Sequence, residues 1–173
     1  VPSNTTPKDR TRLITWEDPT ISVNAAQTMS GFDILKAIAA GSLPPPPIAI
    51  LMNMDLAEVE EGRVIFTVDP AEYHYNPVGA VHGGLAATLV DSAMTCAIYS
   101  VAPIGMNYTT IELHVNYIRP ITVDTGHIRC IGEVIHLGRR VATAEAKILD
   151  TSDKLYAHAT TTCLAVQLNQ NNR

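Results

Sequence analysis

The chain has 173 residues, 46% of them apolar and 17% charged, with a formal net charge of −5. That length suits one domain with a full core, and the acidic balance excludes nucleic acid as a main partner, because phosphate binding needs clustered Lys and Arg. No apolar run reaches the ~18 residues of a membrane span, and no cationic apolar leader opens the sequence, so the expectation is a soluble cytoplasmic protein that does not engage a membrane.

In chain order, residues 1–27 are polar and aperiodic and read as a loose arm. "TMSGFDILKAIAAGS" follows. Ser30 with Asp33 three residues on resembles a capping box, Phe32, Leu35, Ile38 and Ala39 share a face, and Gly41 suits the stop. The spacing predicts a helix over 31–40. Pro44 to Pro47 predict an extended, polyproline-like connector. The division expected is an N-terminal arm and short helix over 1–47 and a main domain over 48–173.

Strands dominate from residue 48, with a first one expected within 48–55. "RVIFTVD" (63–69) alternates Val64, Phe66 and Val68 on one face. "NYTTIELHVNYIRPI" (107–121) alternates Ile111, Leu113, Val115 and Tyr117 against Thr110, Glu112, His114 and Asn116. Segments 127–136, 140–150 and 154–166 follow in series, separated by short turns at 137–139 and 151–153, which predicts an antiparallel meander.

One long helix interrupts the strands, at about 83–99. Leu85, Leu89, Val90, Ala93, Met94, Ala97 and Ile98 cover most of its circumference, and a helix apolar nearly all round is buried. The exception is a stripe of Thr88, Asp91, Ser92 and Thr95 on one face. A sheet wrapped around one central helix, an α+β layout, accounts for the pattern.

Asp91 is the informative residue. A carboxylate in an apolar helix costs several kcal/mol unless paired or solvated. It is either a structural partner of a backbone group or of Arg119 or Arg140, or a general base or nucleophile facing a pocket. Gly83 and Gly84 stand at the start of the same helix, where backbone N–H groups lack intrahelical partners and a ligand can approach closely. They form either a tight turn or an oxyanion hole. His82 is either a cap or a pocket side chain, and Asn76 before Pro77 either a turn signal or a pocket amide. No metal site is expected: the histidines lack ligand spacing, and Cys96, Cys130 and Cys163 are scattered without a Cys-x-x-Cys pair, which suits buried free thiols.

Asn76, five residues, His82-Gly83-Gly84, six residues and Asp91 together resemble the hotdog-fold acyl-CoA thioesterases of the phenylacetate-degradation (PaaI-like) type. "TTIELHVNYIRPI", "HLGRRVATAEAKILD" and "KLYAHATTTCL" are similar to strands of that family, so the resemblance covers roughly 48–166. It implies a hotdog fold, a long helix wrapped by an antiparallel sheet, in a homodimer that often pairs into a dimer of dimers. It implies hydrolysis of an acyl-CoA to acid and free CoA. The family's carboxylate falls on Asp91, its oxyanion donor on Gly83 or Gly84, and its pocket amide and histidine on Asn76 and His82. A water-holding hydroxyl falls on Thr110, or on Thr95 by analogy with the 4-hydroxybenzoyl-CoA branch. Arg119, Arg139 and Arg140 are candidates for the CoA phosphates or simply solvated surface. CoA enters as part of the substrate, and no cofactor is expected.

Helix geometry adds one inference of its own. Gly84 and Asp91 lie seven residues apart, ~10 Å along the axis, too far for one substrate to use both comfortably. The glycine end of one chain is therefore expected to work with Asp91 of a second. The alternatives are a hotdog hydratase or dehydratase, a non-catalytic acyl-CoA-binding protein, and a purely structural domain. A DNA-binding version of the sensor is poor, since residues 1–41 carry four basic and four acidic side chains.

Overall fold

Ser30 opens the first substantial helix, as its spacing to Asp33 predicts. Its Oγ accepts the Asp33 N–H at 3.1 Å and donates to the Asp33 carboxylate at 2.6 Å. In the computed structural model, which describes residues 10–167, this helix (α2) runs Gly31–Ala39. Gly41 follows in the left-handed region at φ +72°, the conformation that glycine adopts without a Cβ penalty. A short helix (α1, Thr20–Ala25) precedes it, within the segment read as a loose arm. Residues 1–9 of that arm and 168–173 lie outside the described residues.

The proline connector differs from expectation. Pro46 is extended, but Pro47 begins a helix (α3, Pro47–Met52) instead of ending the connector. Proline at the first helical position lacks only an N–H that would have no partner anyway. Asn53 then turns the chain in the left-handed region; the strand expected over 48–55 is displaced, because 48–52 are helical, and the first strand is β1, Met54–Glu60.

The remaining elements are β2 (Arg63–Val68), α4 (Gly83–Ser100), β3 (Met106–Tyr117), β4 (Ile128–Leu137), β5 (Val141–Asp150) and β6 (Leu155–Gln167). They form one antiparallel sheet in the order β1-β2-β4-β5-β6-β3. The meander β4-β5-β6 is as predicted, and β3 returns to the edge beside β6. Helix α4 lies across the concave face, with Leu89, Val90, Ala93, Met94, Ala97 and Ile98 fully buried. The sheet can wrap it because the inward positions of β5 and β6 are mostly small: Ala142, Ala144, Ala146, Ala157 and Ala159. Gly132 on β4 sits directly against the Ala93 backbone, where no Cβ would fit. Leu35 of α2 and Ala49 of α3 join the same core. This is the α+β hotdog layout.

One strand departs from simple alternation. Thr110 pairs with Cys163 and Glu112 with Thr162, so Ile111 is an extra residue in a β-bulge. Beyond it Leu113, Val115 and Tyr117 pair with Thr161, Ala159 and Ala157, which face inward. The bulge shifts the phase by one residue. Thr110 therefore shares its sheet face with Leu113, Val115 and Tyr117, whereas unbroken alternation put it on the opposite face. Ile111, grouped with them by alternation, is instead the residue left out of the pairing.

Candidate active site

The start of α4 is held by its own histidine. His82 adopts an extended N-cap conformation, and its Nδ1 accepts the Gly84 N–H at 2.8 Å. A Cβ on residue 84 would lie 2.9 Å from that nitrogen, so glycine there admits the capping ring. Of the two expected oxyanion donors, Gly84 thus already has a partner in this chain. Gly83, at the first helical position, carries an N–H with no acceptor inside the helix.

Tyr117 of β3 covers this end. Its hydroxyl donates to the Gly83 carbonyl at 3.2 Å, and its ring would lie 3.2 Å from a Cβ on residue 83. Asn76 shapes the preceding loop: its Oδ1 accepts the N–H groups of Val78 at 3.0 Å and Ala80 at 3.3 Å. The side-chain NH2 remains a donor. Asn76, His82, Gly83, Tyr117 and Arg119 line one cleft of about 400 Å3. Arg119 is steadied there by a hydrogen bond to the Leu155 carbonyl.

His74 anchors the loop from below. Its Nδ1 accepts the Ala71 N–H at 3.1 Å, which leaves Nε2 to donate to the Met52 carbonyl at 3.0 Å. Its own carbonyl accepts the His82 N–H at 2.8 Å. Burial holds the His74 ring below the usual histidine pKa, with the Met52 bond opposing and Arg12 adding slightly.

Asp91 sits two turns further along α4, half-buried. The Thr110 hydroxyl donates to its Oδ1 at 2.7 Å. The bulge at Ile111 is what turns Thr110 to this face. Neither Arg119 nor Arg140 pairs with the carboxylate. Thr95 stands one turn on, but its hydroxyl donates to the Asp91 main-chain carbonyl at 2.7 Å, an internal helix bond. Asp91, Thr95, Cys96, Tyr99, Tyr108 and Thr110 line a second cleft, of about 350 Å3. Burial, and secondarily the Asp91 carboxylate, push the Cys96 thiol up to about 12.

Arg139 and Arg140 are exposed on the β4–β5 turn and line neither cleft. The turn nevertheless adjoins the second, because Tyr108 donates its hydroxyl to the Gly138 carbonyl at 3.2 Å. The structure brings Asp91, Thr110 and Thr95 together, and separately Asn76, His82, Gly83, Gly84 and Arg119. The two clefts share no lining residue. A backbone donor with a basic side chain lies at one, and an oriented carboxylate at the other. Such a pair can stabilise an oxyanion and activate water.

Two features escaped the sequence reading. Tyr117 reads as one more apolar strand residue, and no local signal marks its contact with Gly83. The bulge leaves no glycine or proline signature.

The Thioesterase superfamily model matches residues 78–157, which includes every candidate at this site except Asn76. A Halobacterium salinarum protein named "Putative esterase" is 37% identical over 139 residues, 76% of this chain and 90% of that protein. Human acyl-coenzyme A thioesterase 13 is 32% identical over 91 residues, 50% of this chain and 64% of that one. A Streptococcus mutans protein whose crystal structure is bound to acetyl CoA superposes with a TM-score of 0.61 at 25% identity, over 66% of this chain and 90% of that one. Among the described residues no helix is long and apolar enough to cross a membrane.

Proposed function

This chain belongs to the thioesterase superfamily and is a thioester hydrolase, and on that premise we propose that it cleaves an acyl-CoA to a carboxylic acid and free CoA at a site shared by two copies of the chain. The observation that carries the reading is the carboxylate of Asp91, oriented by the Thr110 hydroxyl at 2.7 Å and open to a cleft, rather than neutralised by a cation. The acyl-CoA thioesterase and the acetyl-CoA complex among its relatives support CoA esters as the substrate class.

The thioester carbonyl accepts the N–H of Gly83 from one copy, with Asn76 and His82 beside it. Asp91 of the other copy takes a proton from water as the oxygen bonds to the acyl carbon. Negative charge gathers on the carbonyl oxygen, where the backbone donor stabilises it. The tetrahedral species then collapses, the C–S bond breaks, and the departing thiolate recovers a proton from Asp91 or solvent. Direct attack by Asp91, through a mixed anhydride that water then opens, uses the same groups. Thr110 holds the carboxylate in either route. In this reading Arg119, which lines the glycine-end cleft, and Arg139 and Arg140, exposed on the β4–β5 turn, meet the CoA phosphates. No metal or redox cofactor enters this scheme, and activity is expected to survive a chelator.

Two observations support the shared site. The clefts share no lining residue, and ~10 Å of helix separates Gly84 from Asp91. Strand β3 is also a long sheet edge with Ile111, Leu113 and Tyr117 exposed, and such edges are normally paired or covered. A second copy antiparallel to it would do both, giving at least a homodimer.

Subunit complementation tests the proposal. Gly83→Val and Asp91→Asn are each refolded alone and then as an equimolar mixture. In a mixed dimer one site carries both lesions and the other neither, so random assembly returns about a quarter of wild-type thiol release. A mixture that stays at the level of the separate variants, with heterodimers verified by mass, would refute the cross-subunit site.

A further inference from the structure

No residue from 10 to 30 is buried, so the N-terminal arm adds nothing to the core. Its two arginines nevertheless reach far along the chain. Arg10 forms a fork with Glu72, at 2.8 and 3.0 Å. Arg12 donates to the Ile50 carbonyl at 2.7 Å and the Leu51 carbonyl at 2.9 Å, at the end of α3, and its guanidinium stacks 4.4 Å from the centre of the Tyr73 ring. The next carbonyl, that of Met52, accepts His74 Nε2. Three successive carbonyls at a helix end, which lack intrahelical partners, are thus divided between the arm and the loop before α4. Tyr73 joins the two, because its ring also meets the His74 ring edge-on, with centroids 4.3 Å apart.

The loop held in this way leads to the backbone donor of the site. The His74 carbonyl accepts the His82 N–H, His82 Nδ1 accepts the Gly84 N–H, and Gly83 lies between them. Val81 buries the base of the loop, but Tyr73 and Val78 are exposed, so polar contacts do much of the holding. A catalytic donor must stand within about 0.5 Å of its productive place, and a backbone donor moves with its loop. Every residue of this clamp precedes residue 78, where the family model begins.

We infer that Arg12 is a positioning residue for hydrolysis: through the end of α3, Tyr73 and His74 it fixes the loop that presents the Gly83 N–H. The inference rests on the reading of Gly83 as the oxyanion donor. An exposed ion pair such as Arg10–Glu72 contributes little, so the half-buried Arg12 is the anchor that matters. Because the donor acts as charge develops in the transition state, loosening it lowers kcat and leaves KM nearly unchanged.

The test compares the whole chain with Arg12→Gln and, independently, Tyr73→Leu. Amide hydrogen exchange is followed by mass spectrometry in peptides covering 72–84 and 89–98, beside thiol release from acetyl-, decanoyl- and phenylacetyl-CoA. Arg12→Gln is expected to speed exchange over 72–84 at least about tenfold and leave 89–98 as it was. It should lower kcat about tenfold or more, with KM within about twofold and the melting temperature within ~2 °C. Tyr73→Leu should act in the same direction and less. Faster exchange with unchanged kcat, lower kcat with unchanged exchange, a rise in KM alone, or faster exchange over 89–98 as well would each overturn the assignment. Normal thiol release and normal exchange in both variants would refute the clamp and leave the hydrolytic reading intact. A wild type that releases no thiol from any of the three esters, with exchange over 72–84 still faster in Arg12→Gln, would refute the hydrolytic reading and leave the clamp as a fastening of the loop.

Discussion

At the glycine end of α4 the working group belongs to the backbone, whereas at Asp91 it belongs to a side chain. The first is fixed by local sequence: His82 caps Gly84, Asn76 closes its own loop, and both interactions span four residues or fewer. The second depends on a strand residue 19 positions away, since Thr110 of β3 must reach Asp91 on the helix that packs against the sheet. A backbone donor needs only the right turn, which nearby residues encode. A carboxylate needs a partner that orients it, and that partner arrives through tertiary pairing.

The contrast breaks most sharply at Asp91. Asp91→Asn is expected to lower thiol release on the order of 10²–10⁴-fold, while the melting temperature holds or rises because a half-buried charge is removed. Near-normal turnover in a free-thiol assay would end the catalytic assignment, and a large loss of stability would indicate a structural role instead. Thr110→Val comes next. A hydrogen bond to a charged group contributes about 1.5–3 kcal/mol, so kcat should fall about tenfold or more. Thr95→Val should fall far less, because its hydroxyl is engaged by the helix backbone. Equal losses in steady-state assays would erase the distinction between the two threonines.

At the other end, Gly84→Ala places a Cβ 2.9 Å from His82 Nδ1 and displaces the cap. Losing a cap costs about 1 kcal/mol, which lowers the melting temperature by ~2–4 °C in a chain of this size. An unchanged melting temperature would show that the cap carries no stability. The smallest effect concerns His74. Its folded pKa lies below the unfolded value of about 6.5, so the folded state binds fewer protons than the unfolded one in the window between them. Its contribution is complete above about pH 6.5 and is lost as pH falls through that window. Thermal melts from neutral pH to about pH 5 should show wild type losing stability faster than His74→Gln. Parallel curves would place the acid sensitivity elsewhere.

The same contrast explains what could be read from the sequence. The meander, α4 and the capped α2 were legible because periodicity, short turns and Ser30–Asp33 spacing are local signals. So was the cluster of Asn76, His82 and the two glycines. Helix α3 was not, because four prolines signal an extended chain and only the geometry of Pro47 shows a helix starting. The resemblance to PaaI-like thioesterases gave Thr110 or Thr95 as the hydroxyl that holds the attacking water, but the bond from Thr110 to Asp91 was not read, and strand alternation pointed Thr110 the wrong way. Nothing in "YTTIELHV" marks the extra residue. Tyr117 was hidden for the same reason: its partner is Gly83, 34 residues back.

The bulge at Ile111 has a consequence for how β3 can vary. A regular strand has one inside and one outside along its whole length, so inserting or removing a residue anywhere inverts everything beyond it. Here the inversion is already built in, and it divides the strand into two segments with separate tasks: Tyr108 and Thr110 beside the carboxylate, Leu113 to Tyr117 toward the glycine end. Each segment keeps its own alternation, and neither pattern constrains the other. Removing Ile111 would merge them into one phase, so that holding Thr110 on Asp91 would turn Tyr117 away from Gly83, and holding Tyr117 in place would release Asp91.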